Sequence, residues 1–162
     1  MTSVMSRRAL GALSAAAFAA AVLAAGVARA QVIDYENSDR AMNAAIAQAR
    51  QSLPHFVSQF RAGRGERHAV KVAIPRPDSG NEHIWMSLTG IEGDVFVGRI
   101  ANEPVYIDYE QGDVYSAPKA QISDWTYREG GLDHGSYTTR VMLKRLTPEQ
   151  RQQLDLKLAP LP

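Results

Sequence analysis

Gln121 to Arg140 reads QISDWTYREGGLDHGSYTTR. From Asp124 to Arg128 polar residues alternate with aromatic ones, the period of a strand with two unlike faces, and Ile122 to Arg128 reads as that strand. Gly130-Gly131 ends that strand, and Ser136, just after Gly135, is placed to cap a helix beginning near Tyr137. A strand reading of Tyr137 to Leu143 also stands, since threonine and valine favour it. Trp125, Tyr127 and Tyr137 carry large apolar surfaces that have to be buried or to bind something.

Upstream, the chain supplies the rest of a sheet. Val70, Val72 and Ile74 alternate with Ala69, Lys71 and Ala73, and the Pro75 to Gly80 stretch is a turn. Asn81 to Thr89 puts Ile84, Met86 and Leu88 on one face and His83, Trp85 and Ser87 on the other. Gly90 to Asp94 turns into a third strand, Val95 to Asn102, which Pro104 closes because proline cannot extend a central ladder. Val105 to Tyr109 is short and apolar, and Gln111-Gly112-Asp113 leads into Val114 to Ala117. Ile122 to Arg128 is then the last strand.

Helices flank the strands. Met42, Ala45, Ile46, Ala49, Leu53, Phe56, Val57 and Phe60 recur at offsets of three and four, lining one face of an amphipathic helix with Asn37 or Ser38 as its cap. Pro54 kinks or restarts it, and Gly63 or Gly65 ends it. Thr147-Pro148-Glu149-Gln150 combines a cap, a first-turn proline and a capping-box glutamine, and Leu158 to Pro162 reads as a frayed tail. The expectation is a single α+β domain over residues 31–162. It has an antiparallel sheet of about five strands, an N-terminal amphipathic helix and C-terminal helices.

Residues 1–30 read as a cleavable export signal. Arg7 and Arg8 precede an apolar run from Ala9 to Val27, and Ala28-Arg29-Ala30 is a small-x-small cleavage site before Gln31. Gly11, Ser14 and Gly26 interrupt the alanine-rich run, which argues against a retained membrane anchor. The mature protein is expected to begin at Gln31, periplasmic or secreted. Ser6-Arg7-Arg8-Ala9-Leu10 resembles the twin-arginine signature, so that route and general secretion both stay open.

Charge and cysteine content exclude several functions. Three of the 18 basic residues, and none of the 17 acidic ones, lie in the signal, so the mature domain is near neutrality and slightly acidic. That is not the electrostatic footprint of nucleic-acid binding. With no cysteine, disulfides, thiolate metal sites and thiol nucleophiles are excluded. The four histidines, His55, His68, His83 and His134, lack the helical spacing of zinc sites such as H-E-x-x-H, so no metal or cofactor is expected.

Ala41 to Ala47, Glu82-His83-Ile84-Trp85, Ala101-Asn102-Glu103-Pro104, Ile122-Ser123-Asp124-Trp125 with Tyr127, Gly135-x-Tyr137-Thr138 and the Thr-Pro-Glu helix start together resemble the YegJ-like bacterial domain-of-unknown-function family. The resemblance covers roughly Ser38 to Arg151. It implies one compact domain and brings no catalytic residue with it.

Two kinds of site remain. If their strands are neighbours, His83 and Trp85 gather with Trp125 and Tyr127, edged by Glu103, Asp124 and Arg128, in a surface with the composition of a recognition patch. The other reading makes Trp85 and Trp125 core residues beneath the helices, with Asn102 and Glu103 satisfied by backbone donors. A patch points to an exported binding module, an inhibitor or accessory protein that engages a periplasmic protein, peptide or envelope component. The alternative is a small hydrolase using Asp124, His134 and Ser136 or Ser123. No Gly-x-Ser-x-Gly elbow supports it. In the structural reading Asp124 accepts backbone hydrogen bonds and Ser136 caps a helix.

Overall fold

The computed structural model describes residues 40–154 and 156–162. The expected export signal and the cap of the first helix lie outside them. Helix α1 (Arg40–Arg61) precedes strands β1 (Glu66–Pro75), β2 (Asn81–Glu92), β3 (Val95–Ile100) and β4 (Val114–Pro118). A 3-10 turn (Lys119–Gln121), strands β5 (Ile122–Glu129) and β6 (Leu132–Gly135), and helices α2 (Tyr137–Leu143) and α3 (Pro148–Gln153) follow.

The fold is α+β, and the sheet has six strands in the order β4-β3-β2-β1-β5-β6, every neighbour antiparallel. The sixth strand is β6. Glu129 pairs with Leu132 across Gly130-Gly131, whose φ values of 61° and 77° both lie in the left-handed region that a two-residue hairpin turn requires. β1 sits at the centre, between β2 and β5, so the meander β1 to β4 builds out one side and the β5–β6 hairpin the other. β2 runs on past Thr89 to Glu92 with a bulge between Leu88 and Gly90, so the expected turn over Gly90 to Asp94 narrows to Gly93-Asp94, between the paired Glu92 and Val95.

α1 lays Met42, Ala45, Ala49, Leu53 and Phe56 against one face of this sheet. Facing them are Val70, Val72, Ile84, Met86, Phe96, Ile100, Ile122 and Trp125, all at most 2% exposed. Pro54 stays inside the helix, on its solvent side, and the helix continues through it. It removes the N–H that would bond the Arg50 carbonyl. One residue earlier, the Ala49 carbonyl accepts from Trp125 Nε1 at 3.0 Å, fastening β5 to α1.

α3 opens with the capping box read from Thr147 and Gln150. The C-terminal tail is not frayed. Asp133 N donates to Lys157 O and Ala159 N to Asp133 O, at 2.7 and 3.0 Å, so residues 157–159 run along the outer side of β6 and bury Ala159.

Candidate functional site

Pairing within the sheet decides which side chains meet. Val70 lies opposite Met86 and Trp125, while the next residue, Lys71, lies opposite Trp85 and Asp124. Directly paired residues project from the same face. Trp125 and Tyr127 therefore face α1, and His83, Trp85 and Asp124 face the other way. The expected gathering of all four aromatics does not form, since β2 and β5 are separated by β1 and their aromatic positions have opposite parity.

Trp125, 0% exposed, stacks on Phe56 at 5.5 Å. Tyr127, 2% exposed, is held between the rings of His68 and His134 at 5.7 and 4.7 Å. Both are core residues. On the opposite face His83 is exposed and Trp85 half-buried. Glu103 is exposed on the loop after β3, and Arg128 bonds Gly131 O while standing 3.8 Å from Asp133. Neither reaches the network that does form around Asp124.

That network joins β1, β2, β5 and α2. The Asp124 carboxylate accepts from Trp125 N (2.8 Å), Tyr137 N (3.0 Å), Thr138 N (2.8 Å) and Thr138 Oγ1 (2.6 Å). It thereby occupies the place of an N-cap for α2, supplied from a neighbouring strand. Ser136 does not cap. Its φ of 55° is left-handed, its side chain makes no cap bond, and its Oγ donates to Thr126 Oγ1 instead.

Thr138 Oγ1, while donating to Asp124, accepts from Lys71 Nζ at 2.8 Å, and the ammonium lies 4.8 Å from the centre of the Trp85 ring. One hydroxyl thus bridges a buried cation and a buried anion. Burial lowers the Lys71 pKa and the Asp124 charge opposes that shift, while burial raises the Asp124 pKa against the pull of Lys71 and the donors around it.

Ser123 is the extra residue of a bulge, because β1–β5 pairing steps from Lys71–Asp124 to Val72–Ile122. Its hydroxyl donates to Lys71 O at 3.2 Å and meets His83 Nδ1 at 2.9 Å. With the serine proton directed at the carbonyl, the histidine carries its own on Nδ1 and donates. Burial first, then the positive charges of Lys71 and Arg50, lower the His83 pKa to about 4, although the open outer edge of the ring screens part of that effect.

The hydrolase set is not assembled among the described residues. His134 stacks on Tyr127 on the α1 side, Ser136 bonds Thr126, and the serine that meets a histidine is Ser123, with His83. Ser123 is 0% exposed, which keeps its hydroxyl from a substrate. The arrangement presents a half-exposed indole with a cation behind it. Lys71 and Thr138 were not singled out from the sequence. The signal for Lys71 is a lysine on the polar side of an otherwise apolar central strand, and Thr138 enters only within the Gly135-x-Tyr137-Thr138 block of the resemblance.

Among the described residues no group of three His, Cys, Asp or Glu stands close enough to hold a metal ion, and no helix is long and apolar enough to cross a membrane. The chain is 31% identical to the uncharacterized protein YegJ of Escherichia coli K12 over 121 residues, covering 74% of this chain and 78% of that one. It is 28% identical over 133 residues to a putative ankyrin repeat protein of Neisseria meningitidis serogroup B, covering 74% of this chain and 51% of the relative. No solved structure matches. The family model described as "uncharacterized protein conserved in bacteria" (DUF2314) matches residues 39–159, which takes in the long helix, the whole sheet and the Asp124 network, and the chain belongs to that family.

Proposed function

We propose that this protein is a small exported binding module, an inhibitor or accessory protein, that engages a protein, peptide or envelope component through the sheet face bearing Trp85 and His83. One observation carries the reading. Of the two tryptophans, Trp125 is sealed between sheet and helix, whereas Trp85 lies half-open on the opposite face beside an exposed His83. An amphipathic aromatic ring at a partly open position is the kind of anchor around which interfaces concentrate their binding energy. The Ser123 bond orients His83, and Lys71 lies against the indole, so the pair is held in place before any partner arrives.

The test is capture of envelope proteins on immobilised mature protein, with Trp85→Ala as the comparison. A folded Trp85→Ala protein that melts close to the parent and loses a captured partner supports the reading. A partner retained by the variant, or a loss of stability as large as that of Trp125→Ala, overturns it.

A further inference from the structure

A second surface lies on the loop that follows β3. Between β3 and β4 the chain runs through residues 101–113, ANEPVYIDYEQGD. Val105, Tyr106 and Tyr109 on this loop are 66%, 39% and 38% exposed, an unusual amount of apolar surface left in water by one short segment.

The loop is built. At its start Ala101 N donates to Trp85 O (2.8 Å) and Asn102 Oδ1 accepts from Trp85 N (2.9 Å). At its end Gly112 N donates to Ile100 O and Ile100 N to Asp113 O, both at 2.9 Å. In the middle, the Glu82 carboxylate takes Val105 N on one oxygen and Tyr106 N on the other, at 2.7 and 2.8 Å. The Arg76 guanidinium, held by Asp78, covers one face of the Tyr106 ring at 3.9 Å, and Tyr109 meets Tyr115 edge-on at 5.3 Å. Hydrogen bonds and ring contacts thus hold three apolar side chains outward, so little ordering remains to oppose association.

The same thirteen positions contain Glu103, Asp108, Glu110 and Asp113 and no lysine or arginine. Arg99, which bonds Gly112 O, and Arg76, which is paired with Asp78, reach the loop from outside it, and with Glu82 counted the carboxylates still outnumber the cations. An apolar centre of tyrosine and valine inside a carboxylate rim is complementary to an apolar pocket edged by basic side chains. It is repelled by anionic lipid surfaces. We propose that loop 101–113 docks onto a cationic protein surface, with Val105, Tyr106 and Tyr109 as its anchors and the acidic rim as its selector.

The probe is a synthetic amphipathic peptide of lysine and leucine, titrated into isotope-labelled protein, with a serine–leucine peptide of the same pattern as control. Amide shifts should concentrate in residues 103–110 for the lysine peptide only. Tyr106→Ser with Tyr109→Ser, and separately Asp108→Lys with Glu110→Lys, should each weaken binding by about tenfold or more, equivalent to ~1.4 kcal/mol. The spectrum away from the loop should be unchanged. Full binding by the double tyrosine variant would reduce the effect to charge attraction and overturn docking. Equal binding of the serine peptide, shifts centred on the Trp85 face, or no binding below millimolar concentration would overturn it too, as would partition into zwitterionic vesicles in place of peptide binding.

Discussion

Asp124 is fully buried, and each of its two oxygens accepts two donors, so it joins a strand to the start of a helix. Asp124→Ala leaves Lys71 as an uncompensated buried cation and uncaps α2, and chemical denaturation should show a loss of about 3–5 kcal/mol. Trp125→Ala should lose a similar ~3–5 kcal/mol by opening a cavity. Trp85→Ala should lose well under half of that, because its ring is already partly in water. For His83 the sign follows from proton binding. Between its ordinary pKa of 6.5 and about 4 in the fold, the unfolded chain binds a proton that the native one does not. Stability therefore falls as pH drops through that window. His83→Gln should flatten the decline in melting temperature between pH 6.5 and 4, and an unchanged slope would show that other groups cause it. One of the two sequence readings of Asp124 has it accept backbone hydrogen bonds at the start of a turn; it does accept from backbone amides, from a place within β5. The sequence could not show that the donors are Tyr137 and Thr138, because that depends on how the chain leaves Gly135.

Among the elements, β6 and α2 show where sequence pattern stops. Leu132 to Gly135 has one large apolar residue and no β-branched one, so the four-residue β6 carries no propensity of its own. The Gly-Gly turn was its only announcement. Where β6 ends, Gly135 has a φ of 76°, and an added Cβ would run into the Trp125 ring and carbonyl. Gly135→Ala should therefore lose roughly 2–5 kcal/mol from combined backbone strain and overpacking, read from the shift in denaturation midpoint. Alternation within β2 was fully legible, with Ile84 and Met86 buried and His83 and Trp85 on the other side. Which side of β2 matches which side of β5 was not, since each strand's period leaves its parity relative to another strand free, and only the β1 register sets it.

On the scale of the whole molecule, the helix–meander–helix order was legible from the change of hydrophobic period, while the strand order was not. Placing β5 beside β1 requires a pairing across some fifty residues that no local signal records. The sheet's two edges end differently: β6 is covered by the tail, whereas β4 is the terminal strand on the other side. Deleting Lys157 to Pro162 should uncover the β6 edge and, with Ala159 gone, produce concentration-dependent association detectable by size-exclusion chromatography. The strand-supplied cap on α2 also bears on the order of folding. A seven-residue helix has little stability alone, and its first amides find their acceptor on β5. Tyr137 and Thr138 gain the acceptor that protects them from hydrogen exchange only once β5 is in place beside them. Their native-state exchange should then require the sheet itself to open, making two amides of a short peripheral helix reporters of the most global opening the domain undergoes.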